Sequence, residues 1–432
     1  MELNDLVLVS VDDHVVEPPH LFEGRLPAKY VDQAPQFVTR DDGTNAWRYQ
    51  GQETANVALN AVVGRPPEEY GIEPTRLSEL RPGCYDIDER VKDMDANGVL
   101  GSLCFPSFPQ FCGQLFANTE DKDLALALVR AYNDWHIEEW CGTHPGRFIP
   151  CVLPAPWDPE VMAAEVRRTA GMGAHAVTFS ENPSKLGWPS FHSGHWDPFW
   201  QACSDEQVVV CLHIGSSSQM VITAPDAPFD CILTLTPMNI VQAAADLVWS
   251  PVLRQFPDLK IALSEGGIGW IPYFLERVDY NYKRHHAWTG QDFGDRLPSE
   301  VFNEHVLLCF IDDHFGMASH RFLNLDHVMW ECDYPHSDST WPIAPEKVLE
   351  HFEAVDDLGD HDIDRMTHLN AMKHFGYDPF GVLGGKGNCT VGALRARAAG
   401  RDVSIRSVRP DVVGAQRTRA ADLLATALPQ SQ

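Results

Sequence analysis

Eight short apolar runs, most of them rich in β-branched residues, alternate along this chain with longer stretches of helical pattern. The runs are Leu6–Ser10, Val99–Phe105, Phe148–Leu153, Ala176–Phe179, Val208–His213, Lys260–Ser264, Val306–Ile311 and His327–Glu331. Strand-like segments that alternate with helix-like ones predict a parallel sheet with crossover helices. Amphipathic stretches such as Leu124–Glu139 and Pro159–Thr169 supply the helices. Eight such units suit a closed barrel better than an open sheet. The expected fold class is α/β, a distorted (β/α)8 TIM barrel. The chain has 432 residues, 44% of them apolar, which a single barrel with insertions can accommodate.

Two segments fall outside the repeating pattern. Residues 20–90 are rich in Pro and Gly and contain a hairpin-like stretch, Ala46–Glu53. They are expected to form a long insertion between the first strand and the first helix, at the barrel mouth. The barrel is expected over residues 1–385, followed by a basic C-terminal extension over 386–432. That extension carries a net charge of +5, against −33 for the rest of the chain. A basic tail on an acidic body is expected to lie against its own barrel rather than to serve as a nucleic-acid arm.

The overall charge of −28 argues against nucleic acid and anionic membranes as partners, because both would repel it. No apolar run in the sequence approaches the ~20 residues that span a bilayer, and the N-terminus has no basic region followed by an apolar one. The eleven cysteines form no CxxC pair, and several sit inside apolar runs. They read as buried free thiols, and a cytoplasmic location is expected. There is no Gly-rich phosphate loop and no Gly-x-Ser-x-Gly elbow.

The chemistry lies at the C-terminal end of each run. After the first come Asp12 and His14, two residues apart and so on one face of an extended chain. Glu181 comes after the fourth run, His213 ends the fifth, Glu265 comes after the sixth, Asp312 and Asp313 after the seventh, and Asp333 and His336 after the eighth. Any one such carboxylate can be merely a helix N-cap. In a barrel, however, all of them point into the same C-terminal mouth, and each offers a nitrogen or oxygen to a metal.

DxH after the first run, HxG after the fifth, a GG pair after the sixth and DYPH after the eighth resemble the amidohydrolase superfamily. The similarity is greatest to the branch of the aminocarboxymuconate-semialdehyde and γ-resorcylate decarboxylases, and it covers about residues 1–380. The resemblance implies one or two divalent metals, with Asp12, His14, His213 and Asp333 on the usual ligand positions. Asp12 stands where the superfamily more often has the first His of HxH. Glu265 replaces the His that usually comes after the sixth strand, and Glu181 falls where binuclear members place a bridging carboxylate. The superfamily includes a group of non-heme diiron monooxygenases, among them a diterpenoid monooxygenase of platensimycin biosynthesis, and the pattern resembles that group too.

The expected metal ligands are therefore Asp12, His14, Glu181, His213, Glu265 and Asp333. A set with four carboxylates suits harder ions, so two Fe are expected, with Zn or Mn as alternatives. His336, beside Asp333, is the candidate general acid/base. Phe105, Phe108 and Phe111 form either a substrate wall or ordinary packing under the insertion. The expected function is a diiron monooxygenase acting on a medium-sized, largely apolar organic acid or its activated ester, with O2 and an electron donor as partners. The alternative is a metal-dependent hydrolase or non-oxidative decarboxylase of a carboxylic acid. A homo-oligomer is expected in either case.

Overall fold

In the computed structural model, which describes residues 1–71 and 76–409, all eight runs are strands and all recorded pairings between them are parallel. The strands are β1 (Leu8–His14), β2 (Val99–Phe105), β3 (Phe148–Ile149 and Cys151–Val152), β4 (Ala176–Ser180), β5 (Val209–His213), β6 (Ile261–Ser264), β7 (Val306–Phe310) and β8 (Val328–Trp330). Each pairs with its neighbour in chain order. The ladder is interrupted within β3, where Pro150 has no N–H to donate. Between β8 and β1 the seam is closed by the segment after β8. Asp333 N–H donates to Asp12 O (2.8 Å), His14 N–H to Tyr334 O (2.7 Å), and Cys332 N–H to Ser10 Oγ (2.8 Å). The fold is a (β/α)8 barrel.

Two apolar clusters result from strand alternation. Val7, Val9, Leu103, Phe105, Val209, Cys211, Ala262, Leu307, Cys309 and Met329 belong to the cluster that fills the barrel. Leu6, Leu8, Cys104, Val210, Leu212, Leu263 and Leu308, one residue out of phase, pack with the surrounding helices. None of the eleven cysteines is paired, and all but Cys231 are buried.

The insertion contains a three-stranded antiparallel sheet, Gln36–Thr39, Asn45–Tyr49 and Gln52–Thr54. Gln50 and Gly51 both take positive φ at its tight turn, as a two-residue hairpin requires. It docks beside the mouth, where the N–H groups of Val62 and Val63 donate to Pro335 O (3.0 and 3.1 Å). Residues 386–409 lie against the barrel. Val391 and Leu394 are buried, Arg395 pairs with Glu346 (2.6 Å), and Arg401 pairs with Asp93 (3.0 Å). Residues 410–432 of the basic extension lie outside the described residues.

One helical stretch, Phe229–Trp249, is long and apolar enough to cross a membrane by length and composition, which corrects the reading that no run approaches that length. In the structure it is two helices, Phe229–Leu235 and Met238–Trp249. The second buries Ile240, Ala243, Ala244, Leu247 and Val248.

Candidate metal centre

Residues at the C-terminal ends of β1, β5, β6 and β8 converge on one buried point. His213 stays in phase with the inward-facing Val209 and Cys211, so it continues into the mouth. On β1, three steps from Ser10 to Asp13 oppose two steps from Ser102 to Cys104 on β2. That extra residue is a bulge, which re-aims the strand end. It leaves Asp12 and His14 facing the mouth while Asp13 turns towards Ser10 and Ser102. Asp333 is in phase with the inward-facing Met329, two pairs of residues earlier.

The distances define the centre. His14 Nε2 lies 3.5 Å from Asp12 Oδ1 and 3.3 Å from Asp333 Oδ1. His213 Nε2 lies 3.3 Å from Asp12 Oδ2 and 3.2 Å from Glu265 Oε2. The nearest donor atoms of Asp12, His14 and His213 fall within 4.8 Å of one another, as do those of His14, Asp333 and His336. His213 Nδ1 is 2.6 Å from Ile214 O. A carbonyl only accepts, so Nδ1 carries the proton and Nε2 presents a lone pair to two carboxylates. Acceptors facing acceptors at this distance call for a cation between them. Both Asp12 oxygens, both His14 nitrogens, His213 Nε2, both Asp333 oxygens and His336 Nε2 are buried without a hydrogen-bond partner. Buried polar atoms are ordinarily paired, so this concentration fits a divalent metal.

The backbone is also unusual here. Glu265 and Asp333 are non-glycine residues in the left-handed region, with φ of 57° and 56°. Such conformations cost of order 1–3 kcal/mol and persist where the surroundings impose them. Glu331 is part of what imposes the first. Its carboxylate accepts from Glu265 N–H, with Oε1 at 3.1 Å and Oε2 at 3.3 Å. Glu331 is fully buried and was not among the expected residues. Its phase, midway between Met329 and Asp333, was the available signal.

Other expected residues are placed differently. Glu181 is held by hydroxyls from the loop after β5, with Ser216 Oγ donating to Oε2 and Ser217 Oγ to Oε1, both at 2.5 Å. Both of its oxygens are therefore occupied, unlike those of Asp12. Phe105 and Phe111 flank the imidazoles; Phe111 stacks on His213 with ring centroids 4.4 Å apart, and Phe105 meets it edge-on at 4.9 Å. Phe108 instead stacks on Trp47 of the insertion (4.4 Å) and packs against Phe22 and Phe116. The loop after β2 is turned so because Glu17 accepts from the N–H groups of Ser107 and Phe108 (2.9 and 2.8 Å). His336 stacks on His14 at 3.8 Å, its Nδ1 2.9 Å from Asp333 Oδ1. Asp313 accepts from Ile268, Gly269 and Gly316 N–H, so it serves as a cap.

Burial pushes the carboxyls of Asp12, Glu265, Glu331 and Asp333 well above their usual range, and neighbouring carboxylates push them further. Burial, then His336 and His213, drives His14 well down, and burial lowers His336 to about 3. Both shifts favour the neutral form of His14 and His336, the form of an imidazole that binds a metal.

A family model described as amidohydrolase matches residues 41–377, and the chain belongs to that family. No curated protein matches it. Among solved structures, it is similar to an amidohydrolase from Mycobacterium avium subsp. paratuberculosis K-10. The identity is 20% and the TM-score 0.65, over 86% of this chain and 99% of that one. It is also similar to the 5-carboxyvanillate decarboxylase LigW from Sphingomonas paucimobilis, with 19% identity and a TM-score of 0.58 over 86% of this chain and 100% of that one. A third is a dihydroxybenzoic acid decarboxylase from Polaromonas sp. JS666, solved with manganese and 2-nitroresorcinol. Its identity is 20% and its TM-score 0.52, over 69% of this chain and 89% of that one. The chain is a metal-dependent enzyme of the amidohydrolase superfamily.

Proposed function

We propose that this enzyme acts without oxidation on an aromatic or otherwise largely apolar carboxylic acid, as a decarboxylase or hydrolase. The observation that carries the reading is the lone pair of His213 Nε2 facing Asp12 and Glu265, beside the unpartnered donors of His14 and Asp333. Asp12, His14, His213 and Asp333 would hold the metal. A divalent ion bound there would polarise a substrate carboxylate or activate a water. The carboxylate share of the ligands suits Mn(II) or Fe(II) better than Zn(II). The neighbouring decarboxylases, one of them solved with manganese, support the same substrate class.

The chain's own residues supply the rest. Phe111, stacked on His213, offers a flat apolar face against which a ring can lie. His336 is neutral and presents an unpartnered buried Nε2, which can accept and return a proton.

A second reading, dinuclear iron oxygenation, is favoured by Glu265. Its carboxylate stands where the superfamily usually has an imidazole. With Asp12, Asp333 and Glu331 it brings four carboxylates to the centre, which two divalent ions would balance. Turnover of hydroxybenzoate-type acids by Mn-loaded enzyme under strict anaerobiosis separates the two. CO2 or hydrolysis product at the aerobic rate supports the first reading. Product that forms only with O2 and a reductant replaces it with the second.

A further inference from the structure

Among the described residues, one further group of three metal-ligand donors converges outside the centre. Asp312, just after β7, His314 at the start of the next short helix, and His351 on the helix Ala344–Glu353 bring three donor atoms within 4.8 Å of one another. His351 is fully buried, and its Nδ1 lies 2.7 Å from Lys347 O. The carbonyl fixes the proton on Nδ1, so in the neutral ring the Nε2 lone pair points at Asp312 Oδ1, 2.8 Å away. His314 Nε2 faces the same oxygen at 3.7 Å, with its ring 4.3 Å from that of His351.

Two imidazoles turned on one carboxylate oxygen make a set that a borderline divalent ion can join, with water completing the tetrahedron. A simpler pair elsewhere shows the contrast. His320 faces Asp357 at 3.3 Å, but there Arg321 already binds the carboxylate at 2.6 Å. At Asp312 the nearby Lys347 is bonded to Glu350 at 2.9 Å.

We propose that Asp312, His314 and His351 form a second, rim-located site for a borderline divalent cation such as Zn(II), separate from the central ligands. It would tie the end of β7 to the helix after β8. The site uses none of the central donors, so it stands whichever reaction the centre performs.

The test is equilibrium dialysis of the metal-loaded enzyme against zinc, comparing wild type with His314→Ala, whose side chain is more than half exposed. Wild type should bind one zinc equivalent more than the variant, while both keep the same central metal content. His351→Asn should lose the same equivalent. Equal zinc uptake by wild type and His314→Ala would overturn the proposal and leave Asp312 and His351 as an ion pair alone.

Discussion

Two parts of the mouth carry buried carboxylates, and they differ in whether those carboxylates have partners. At the ends of β1, β5 and β8, the oxygens of Asp12 and Asp333 face only the imidazoles of the same centre and are held by no donor from the surrounding fold. Around β4 and the loop after β2, every carboxylate is matched. Glu181 takes two serine hydroxyls, and Glu17 takes two backbone N–H groups and the Tyr132 hydroxyl. The adjacent residues Asp12 and Asp13 show the same contrast within one strand, because Asp13 takes Ser10, Ser102 and Tyr334 N–H. A fold satisfies a carboxylate it needs for structure. One left buried and bare is reserved for something that arrives later.

The contrast is broken most severely by removing a bare donor. His213→Ala or Asp333→Ala should lose the metal and lower turnover on the order of a thousandfold, the equivalent of several kcal/mol of transition-state stabilisation. Elemental analysis and kinetics on the same sample would check both. The fold should survive, because these side chains make no structural hydrogen bond that the core depends on, apart from the single His213–Ile214 contact.

A second test uses pH on the matched side. Burial raises the Glu17 carboxyl to about 7 from an ordinary 4.5. A carboxyl raised on folding stabilises the fold below its unfolded pKa, and that contribution is lost as pH climbs through the folded value. Relative to Glu17→Gln, wild type should lose roughly 2 kcal/mol between about pH 5.5 and about pH 8, read by urea unfolding. Parallel stability curves would show that Glu17 keeps an ordinary pKa.

Glu331 sharpens the comparison, since its hydrogen bonds to the centre run through Glu265 N–H. Glu331→Gln should weaken metal binding by about 10–100-fold, the usual effect of losing a group that orients a ligand. Metal titration followed by spectroscopy would read this as a change in affinity with the stoichiometry kept. The smallest effect is expected at Ser217. Ser217→Ala removes one of the donors to Glu181 and should cost about 1–3 kcal/mol of stability. Metal content should not change, whereas a lost equivalent would make Glu181 a ligand after all.

Much of this was legible in the residue order, because it depends on phase and spacing. The eight strands, the D-x-H pair and the donor ending β5 are all local patterns. What escaped depends on long-range partners. Nothing near Glu181 announces that Ser216 and Ser217, some 35 residues on, will occupy its oxygens. Phe108 and Phe111 lie three residues apart with the same chemistry, yet with Glu17 holding the N–H groups of Ser107 and Phe108, one packs on the insertion and the other lies beside His213. The bulge in β1 becomes visible only against the register of β2. Glu331 was within reach of a reading by phase, since it continues the inward face of β8 between Met329 and Asp333.

The bare donors at the mouth are a metal site if the protein carries its ion there. The most direct measurement is metal analysis of anaerobically purified enzyme, alongside His213→Ala, with unfolding followed before and after chelation. Expected are at least one Mn, Fe or Zn per wild-type chain, none bound at this centre in the variant, and a stability drop on chelation in wild type only. Wild-type protein that is metal-free, fully active and indifferent to added Mn(II) would contradict a metal site here.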